Sequence, residues 1–465
     1  MSSLKMSSEY ERIVIGGGAA GALVALHYLS SCSAAGHEPR IAVVEPRASL
    51  AQGAAYSTDR EEHRLNVPAG RMSAFADRPH DFVDYLIANP DSALADLHGH
   101  DLDHAYAPRR AYGAYLLARL REQPLFSSLQ HVRDEAVALA RSDDGFVVTL
   151  LDGTSLRAAQ VVLAIGNAPR ALPIDAGELP VVESWDYPQL DRMSPDARIT
   201  VIGSGLSMVD SVMTRLRAGH RGPITVLSRH GLLPLPHAAE HLPAPLPSAA
   251  ENLPSTVLGL WRTLRRRALQ GIAQGEPWQW TFERLRPYGQ QLWQSLSAPE
   301  QARFLRHAVR YWDIHRHRIA PEIAAELQAM MQAGQLHVLA GRLLPSTGTD
   351  AATLRFRARD GAEQNVPTDV VINATGVETR FERPSSPLLA SLLANGLAVP
   401  GPHGLGILTD GLGRALDAQG APLAGLQVLG SSRIGTLWET IAMPELRVQA
   451  RDCGQIEAAA RTGCG

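Results

Sequence analysis

Two glycine-rich turns, each set between an apolar strand and a helix, restrict this 465-residue chain to a narrow group of α/β folds. The first, Gly16-Gly17-Gly18-Ala19-Ala20-Gly21, follows Ile13-Val14-Ile15 and leads into the apolar stretch Ala22 to Leu29. The second, Gly203-Ser204-Gly205-Leu206-Ser207-Met208, follows Ile199-Thr200-Val201-Ile202 and leads into a helix expected over Leu206 to Arg217. A β-branched run that breaks on glycine and continues as a helix opens a βαβ unit, and that unit implies a parallel sheet. Two such openings in one chain predict two Rossmann-like domains.

The chemistry of the first turn follows from its residues. Gly16 permits the tight turn, Gly18 lets backbone approach a pyrophosphate, and Gly21 allows close helix–strand packing. The N–H groups at the helix start, with Ala19 and Ala20 in its first turn, face the phosphates with the positive end of the helix dipole. A second strand, Ile41 to Val44, ends in Glu45, which lies 24 residues beyond Gly21. The usual distance is about 20, and a long connection from Ser30 to Arg40 accounts for the excess. Glu45 suits the ribose hydroxyls of an adenosine, with Arg47 beside it. Within this unit alone, FAD and NAD fit equally well.

In the second turn Met208 stands where the third glycine belongs. Gly203 and Gly205 still satisfy the phosphate-facing part, so the substitution bears on helix packing more than on binding. The next strand, Ile224 to Leu227, ends in Ser228-Arg229-His230 instead of an acid. A guanidinium and a hydroxyl there suit the 2′-phosphate of NADPH. The alternative for Arg229 is a solvated strand-end charge. Two dinucleotide sites in one chain point to electron transfer, from a visiting nicotinamide to a resident flavin.

The remaining composition mostly excludes. A net charge of −3 offers no reason to expect nucleic acid or an anionic membrane as partner. The polar N-terminus resembles no signal or transit peptide, and no apolar run approaches the roughly 20 residues of a membrane span, so a cytoplasmic protein is expected. Three cysteines, Cys32, Cys453 and Cys464, form no Cys-x-x-Cys pair, so a dithiol relay, an iron–sulfur cluster and a structural zinc site lack candidates. The single lysine, Lys5, lies in the N-terminal tail, which argues against Schiff-base chemistry.

Between the turns, Phe146 to Leu151 with Asp152-Gly153 reads as a strand and tight turn, and Val161 to Gly166 as a strand ending in glycine. Val370 to Gly376, with Thr375 before its glycine, nearly copies the latter. Pro236 to Pro254 reads as an irregular excursion. Val257 to His317 reads as helical and holds five of the seven tryptophans, Trp261, Trp278, Trp280, Trp293 and Trp312, as core or as a lid. In Arg310 to Arg318, Asp313, His315 and His317 lack a fourth metal ligand, so no metal is expected. Arg316 and Arg318 could hold a substrate carboxylate or take part in helix-end salt bridges. Leu426 to Gly430 reads as a strand, followed by a helix from about Thr436 to Ala450 whose start would bring Trp438, Glu439 and Thr440 near a flavin.

Leu65-Asn66-Val67-Pro68-Ala69-Gly70-Arg71-Met72-Ser73, the stretch His315 to Pro321, and Gly435 to Thr440 with Pro444-Glu445-Leu446-Arg447 resemble the YdhS-like bacterial FAD/NAD(P)-binding proteins. These are similar in layout to the class B flavin monooxygenases, which include enzymes that oxidise the amino group of aspartate to nitrosuccinate. Val377 departs from the monooxygenase pattern, where an aromatic residue often follows Ala-Thr-Gly. The resemblance implies a glutathione-reductase-like layout, with FAD bound at the first turn and NADPH at the second. It assigns residues 8–190 and 371–450 to the FAD domain and 191–370 to the NADPH domain, with a helical insertion at about 238–335 and a tail at 451–465. It also sets Asn66, Arg71, Met72 and Ser73 near the flavin, with Gly166, Thr375, Gly376 and Gly430 along the cofactors. The implied reaction is hydroxylation of a small amine by molecular oxygen through a flavin hydroperoxide. A reductase serving a quinone or other acceptor, and a flavin-binding protein without turnover, are the alternatives.

Overall fold

The computed structural model describes residues 9–90, 101–239, 253–345, 352–382, 384 and 386–461, with side chains to Gly454. Most of the expected irregular excursion after Pro236, together with Lys5 and Cys464, lies outside the described residues. The chain forms two compact units. One comprises residues up to 59, 67–167 and from 379 onward; the other comprises 60–66 and 168–378. The chain passes between the units at 59/60, 66/67, 167/168 and 378/379.

The first unit is built on the sheet order Arg414–Leu416, Pro422–Val428, Ser155–Leu163, Tyr10–Ile15, Ile41–Val44, Leu129–Val132. Its central neighbours run parallel: Ile15 pairs with Val44 on one side and Leu163 on the other. All four residues of Ile41–Val44 are buried, as expected for a parallel strand covered on both faces. Helix Ala19–Ala34 buries Ala22 through Leu26 without a break, so it is enclosed on most of its circumference. It runs past Leu29 to Ala34 and therefore contains the buried Cys32. Gly36, at φ 62°, closes it, with the His37 N–H donating to the Cys32 carbonyl. Of the long connection expected from Ser30 to Arg40, the part up to Ala34 is helix.

The second unit repeats the plan. Its seven-stranded sheet has the order Glu363–Pro367, Thr353–Ala358, Leu336–Leu343, Ile224–Ser228, Ile199–Ile202, Val370–Asn373, Val181–Glu183. The last five are parallel. Between Ile224–Ser228 and Leu336–Leu343 the chain inserts helices, among them Val257–Ala273, Gln279–Leu285 and Val309–Arg316. Their aromatic side chains make a small core of their own. The His315 ring stacks on Phe282 at 5.0 Å, and Trp278 and Trp312 meet Phe282 at 5.9 Å.

The C-terminal return corrects one expectation. No continuous helix runs from Thr436 to Ala450: a short helix, Ile434–Leu437, stops at Trp438, and a new one, Met443–Arg461, follows. Trp438 takes φ 61°, a region that ends a helix for any residue with a side chain. Pro444 then suits the opening turn of the next helix, where its missing N–H has no partner to lose. Trp438, Glu439 and Thr440 lie in this break.

Candidate dinucleotide sites

The first turn is held by contacts that leave no room for side chains. A Cβ on Gly16 (φ 95°) would stand 2.3 Å from the Ala164 carbonyl oxygen, and one on Gly21 would stand 1.9 Å from that of Gly16. Gly18 faces Gly53 so closely that a Cβ would lie 3.3 Å from its Cα. Glu45 is buried, its Oε2 accepting the Gly17 N–H at 2.9 Å and its Oε1 the Arg47 N–H at 3.1 Å. Helix Ala19–Ala34 has no side-chain cap and no acid in its first turn. Its orphan N–H groups and dipole therefore remain available to an anion. A side-chain-free lane, an uncapped helix start and a buried carboxylate fit the pyrophosphate and ribose of a dinucleotide.

The second turn reaches the same backbone shape by other means. A Cβ on Gly203 (φ 110°) would stand 2.1 Å from the Ala374 carbonyl oxygen. Met208 is fully buried, so the missing glycine is replaced by a packed side chain. Helix Leu206–Arg217 again has no side-chain cap and no acid in its first turn. The Ser204 and Ser228 hydroxyls lie 2.9 Å apart, and Ser228 Oγ accepts the Gly231 N–H at 3.0 Å.

Arg310, from helix Val309–Arg316, reaches this turn. Its Nη2 donates to the carbonyl oxygens of Ser204 (2.7 Å) and Leu232 (3.1 Å). A Cβ on Gly205 would come 3.9 Å from its Nη1. Burial lowers the pKa of the Arg310 guanidinium, Asp313 opposes that shift, and Arg229 adds to it. His230 is held below the ordinary histidine value by burial, then by Arg229, Arg359, Arg310 and Arg342. The second turn thus sits in a basic field drawn from four separate segments. Only Arg229 was foreseeable locally; Arg310 lies 106 residues from Ser204. The cationic stretch from 310 to 318 was a visible signal, but it did not single out its first residue.

The other expected site residues are distributed between the units. Asn66 belongs to the second unit, where its carbonyl accepts from His237 Nε2 at 3.0 Å. In the first unit Met72 and Ser73 are buried and Arg71 is exposed. Ser73 Oγ closes a local turn, donating to the Arg78 carbonyl at 2.7 Å and accepting the Phe75 N–H at 3.1 Å. Gly166 (φ 67°) and Gly376 (φ 94°) face open space, and Thr375 Oγ1 donates to Asn373 Oδ1 at 2.7 Å. Gly430 (φ 70°) is fixed by Thr440, whose Oγ1 donates to its carbonyl at 3.0 Å, while Glu439 is buried. Arg316 and Arg318 are both buried, and Arg318 is ion-paired with Glu283. Among the described residues no group of three or more His, Cys, Asp or Glu side chains could hold a metal, and no helix is long and apolar enough to cross a membrane.

Comparison with known proteins agrees with this geometry. Residues 13–168 match a family described as FAD-NAD(P)-binding. Uncharacterized proteins of Mycobacterium bovis and Mycobacterium tuberculosis are 25% identical in an alignment of 357 residues that covers 68% of this chain. The chain spans 66% of the length of these relatives. Among solved structures, the ornithine N-hydroxylase of Kutzneria sp. 744 superposes with a TM-score of 0.65, 14% identity, 98% of this chain and 99% of its own. The L-lysine 6-monooxygenase of Pseudomonas syringae gives 0.65, 16%, 98% and 100%. The bacillithiol disulfide reductase of Staphylococcus aureus gives 0.58, 13%, 97% and 99%. The fold is therefore that of two-unit α/β flavin monooxygenases and reductases.

Proposed function

We propose that this protein is an FAD- and NADPH-dependent monooxygenase of the cytoplasm that hydroxylates the amino group of a small amine with molecular oxygen. An amino acid such as aspartate is the substrate class we favour. The observation that carries this reading is the inequality of the two turns: one is backed by the buried Glu45, the other by arginines without an acid at the strand end. A carboxylate for ribose hydroxyls suits a resident FAD, and guanidiniums for a 2′-phosphate suit a visiting NADPH. FAD supplies the redox and oxygen chemistry when bound. The chain's own residues hold the pyrophosphate at Gly16 to Gly21, order the ribose through Glu45 and admit NADPH at Gly203 to Gly205. Arg318 is ion-paired with Glu283, and the buried Arg316 is the residue we propose for a substrate carboxylate.

The end-to-end fold likeness to the ornithine and lysine hydroxylases supports the monooxygenase reading. The likeness to the bacillithiol disulfide reductase keeps a second reading open, a reductase serving a quinone or other acceptor. One experiment separates them. FAD-loaded protein is given NADPH and oxygen with aspartate, ornithine, lysine and further amines, and N-hydroxylated product is measured by mass spectrometry. Product formed in proportion to the NADPH consumed supports the hydroxylase. Hydrogen peroxide alone with every amine, together with rapid reduction of a quinone, replaces it with the reductase.

A further inference from the structure

The basic field around the second turn contains one group whose charge is not fixed, His230. It follows Arg229 directly and lies half-buried at the end of strand Ile224–Ser228. Its ring meets that of Tyr311 at 6.0 Å. Arginines from four segments are placed around it: Arg229 precedes it, Arg310 bonds the Leu232 carbonyl, Arg342 lies two residues beyond Ala340, which pairs with Ser228, and Arg359 follows Ala358, which pairs with Gly341. Among the described residues Arg229, Arg342 and Arg359 enter no ion pair, and the hydrogen bonds of Arg310 go to neutral oxygens. Asp313 faces Arg310, while the largest charge effects on the imidazole all come from arginines.

We infer that His230 is a specificity-determining residue that takes up a proton when a phosphomonoester enters the ring of arginines around it. The inference rests on the NADPH reading of this site. Without the anion, burial and four guanidiniums all disfavour the imidazolium, so the ring is mainly neutral near pH 7. A phosphate held among those guanidiniums carries nearly two negative charges and reverses the field at the ring. The imidazole then accepts a proton from solvent and becomes a fifth cationic donor. A dinucleotide lacking the 2′-phosphate brings no such charge to this position and leaves His230 neutral.

The sign is determined by linkage: a group whose pKa rises on binding makes binding tighter as pH falls. With one proton involved, the NADP+ affinity increases by at most about tenfold per pH unit. The second ionisation of a phosphomonoester, near pH 6, acts in the opposite direction below that pH, so the effect is read between about pH 6 and 8. The test is calorimetric titration of the purified full chain with NADP+ and with NAD+, in buffers of different ionisation enthalpy. Wild-type protein should take up a proton with NADP+ and none with NAD+. The His230→Asn and His230→Gln variants should bind NADP+ with that uptake abolished and a flatter pH dependence. Equal uptake in wild type and variants, or none in wild type, overturns the role of His230. NADP+ binding no tighter than NAD+ at any pH overturns the nucleotide reading as well.

Discussion

Aligned by sheet register, the two glycine turns differ at few positions, and each difference has its own consequence. Ile15 opposite Val44 corresponds to Ile202 opposite Leu227. Glu45 and Ser228 are then equivalent, as are Gly17 and Ser204. The opening glycine is invariant in role, because Gly16 and Gly203 press on the carbonyls of Ala164 and Ala374 in the same way. The residue after the second strand is exchanged together with its neighbour. A Cβ on Gly17 would meet the Glu45 Cβ at 2.7 Å, whereas the smaller Ser228 leaves space for Ser204. The third glycine is dispensable: Gly21 is compulsory in one unit and replaced by the buried Met208 in the other. The glycine pattern thus sets the backbone, while the segment after the following strand, Glu45 in one unit and Ser228-Arg229 in the other, is where the two turns differ in charge.

The largest effects lie where the two turns have opposite needs. Gly21→Ala sets a Cβ 1.9 Å from a backbone oxygen. Overpacking commonly costs about 1–3 kcal/mol and occasionally more; here no flexible group is available to yield, so the top of that range or beyond is expected. Purified protein should lose FAD on gel filtration and melt early. Met208→Ala should instead leave FAD in place and destabilise by about 2–5 kcal/mol through a cavity, seen as a lower urea midpoint. Equal tolerance of alanine at both positions would break the comparison. Arg229→Ala should weaken NADPH by about 1.5–3 kcal/mol and leave NADH nearly unchanged, as measured by KM for each. Equal losses for both cofactors would show that Arg229 reads a part common to the two.

Much of this was legible because parallel sheets write themselves locally. Ile41 to Val44, Ile199 to Ile202 and Leu206 to Arg217 coincide with their elements, since buried parallel strands are continuous apolar runs and the glycines mark their ends. The break at Trp438 was not legible, because a bulky residue in the left-handed region is imposed by surrounding structure and not by its own preference. Arg310 was not legible either. Its partners at 204 and 232 are joined to it only when the inserted helices pack, and the local pattern in the stretch from 310 to 318 drew attention to later arginines. Ser73, expected near the flavin, has its hydroxyl engaged in its own turn.

The smallest effect separates the two residues that sequence alone could not rank at the NADPH end. Ser228 and Arg229 were both candidates for the 2′-phosphate, but the Ser228 hydroxyl already accepts the Gly231 N–H and pairs with Ser204. Its work is to hold the loop that presents Arg229 and His230. Ser228→Ala removes an acceptor from a half-buried N–H, and a net loss of about 0.5–1.5 kcal/mol is expected in stability. Nucleotide preference should barely move, because the guanidinium beside it retains its charge and reach. Thermal melting should fall by a few degrees while the ratio of NADP+ to NAD+ affinity stays within about twofold of wild type, well under the tenfold that 1.4 kcal/mol represents. A collapse of that ratio without loss of stability would assign the phosphate to the hydroxyl and make Ser228 the functional counterpart of Glu45.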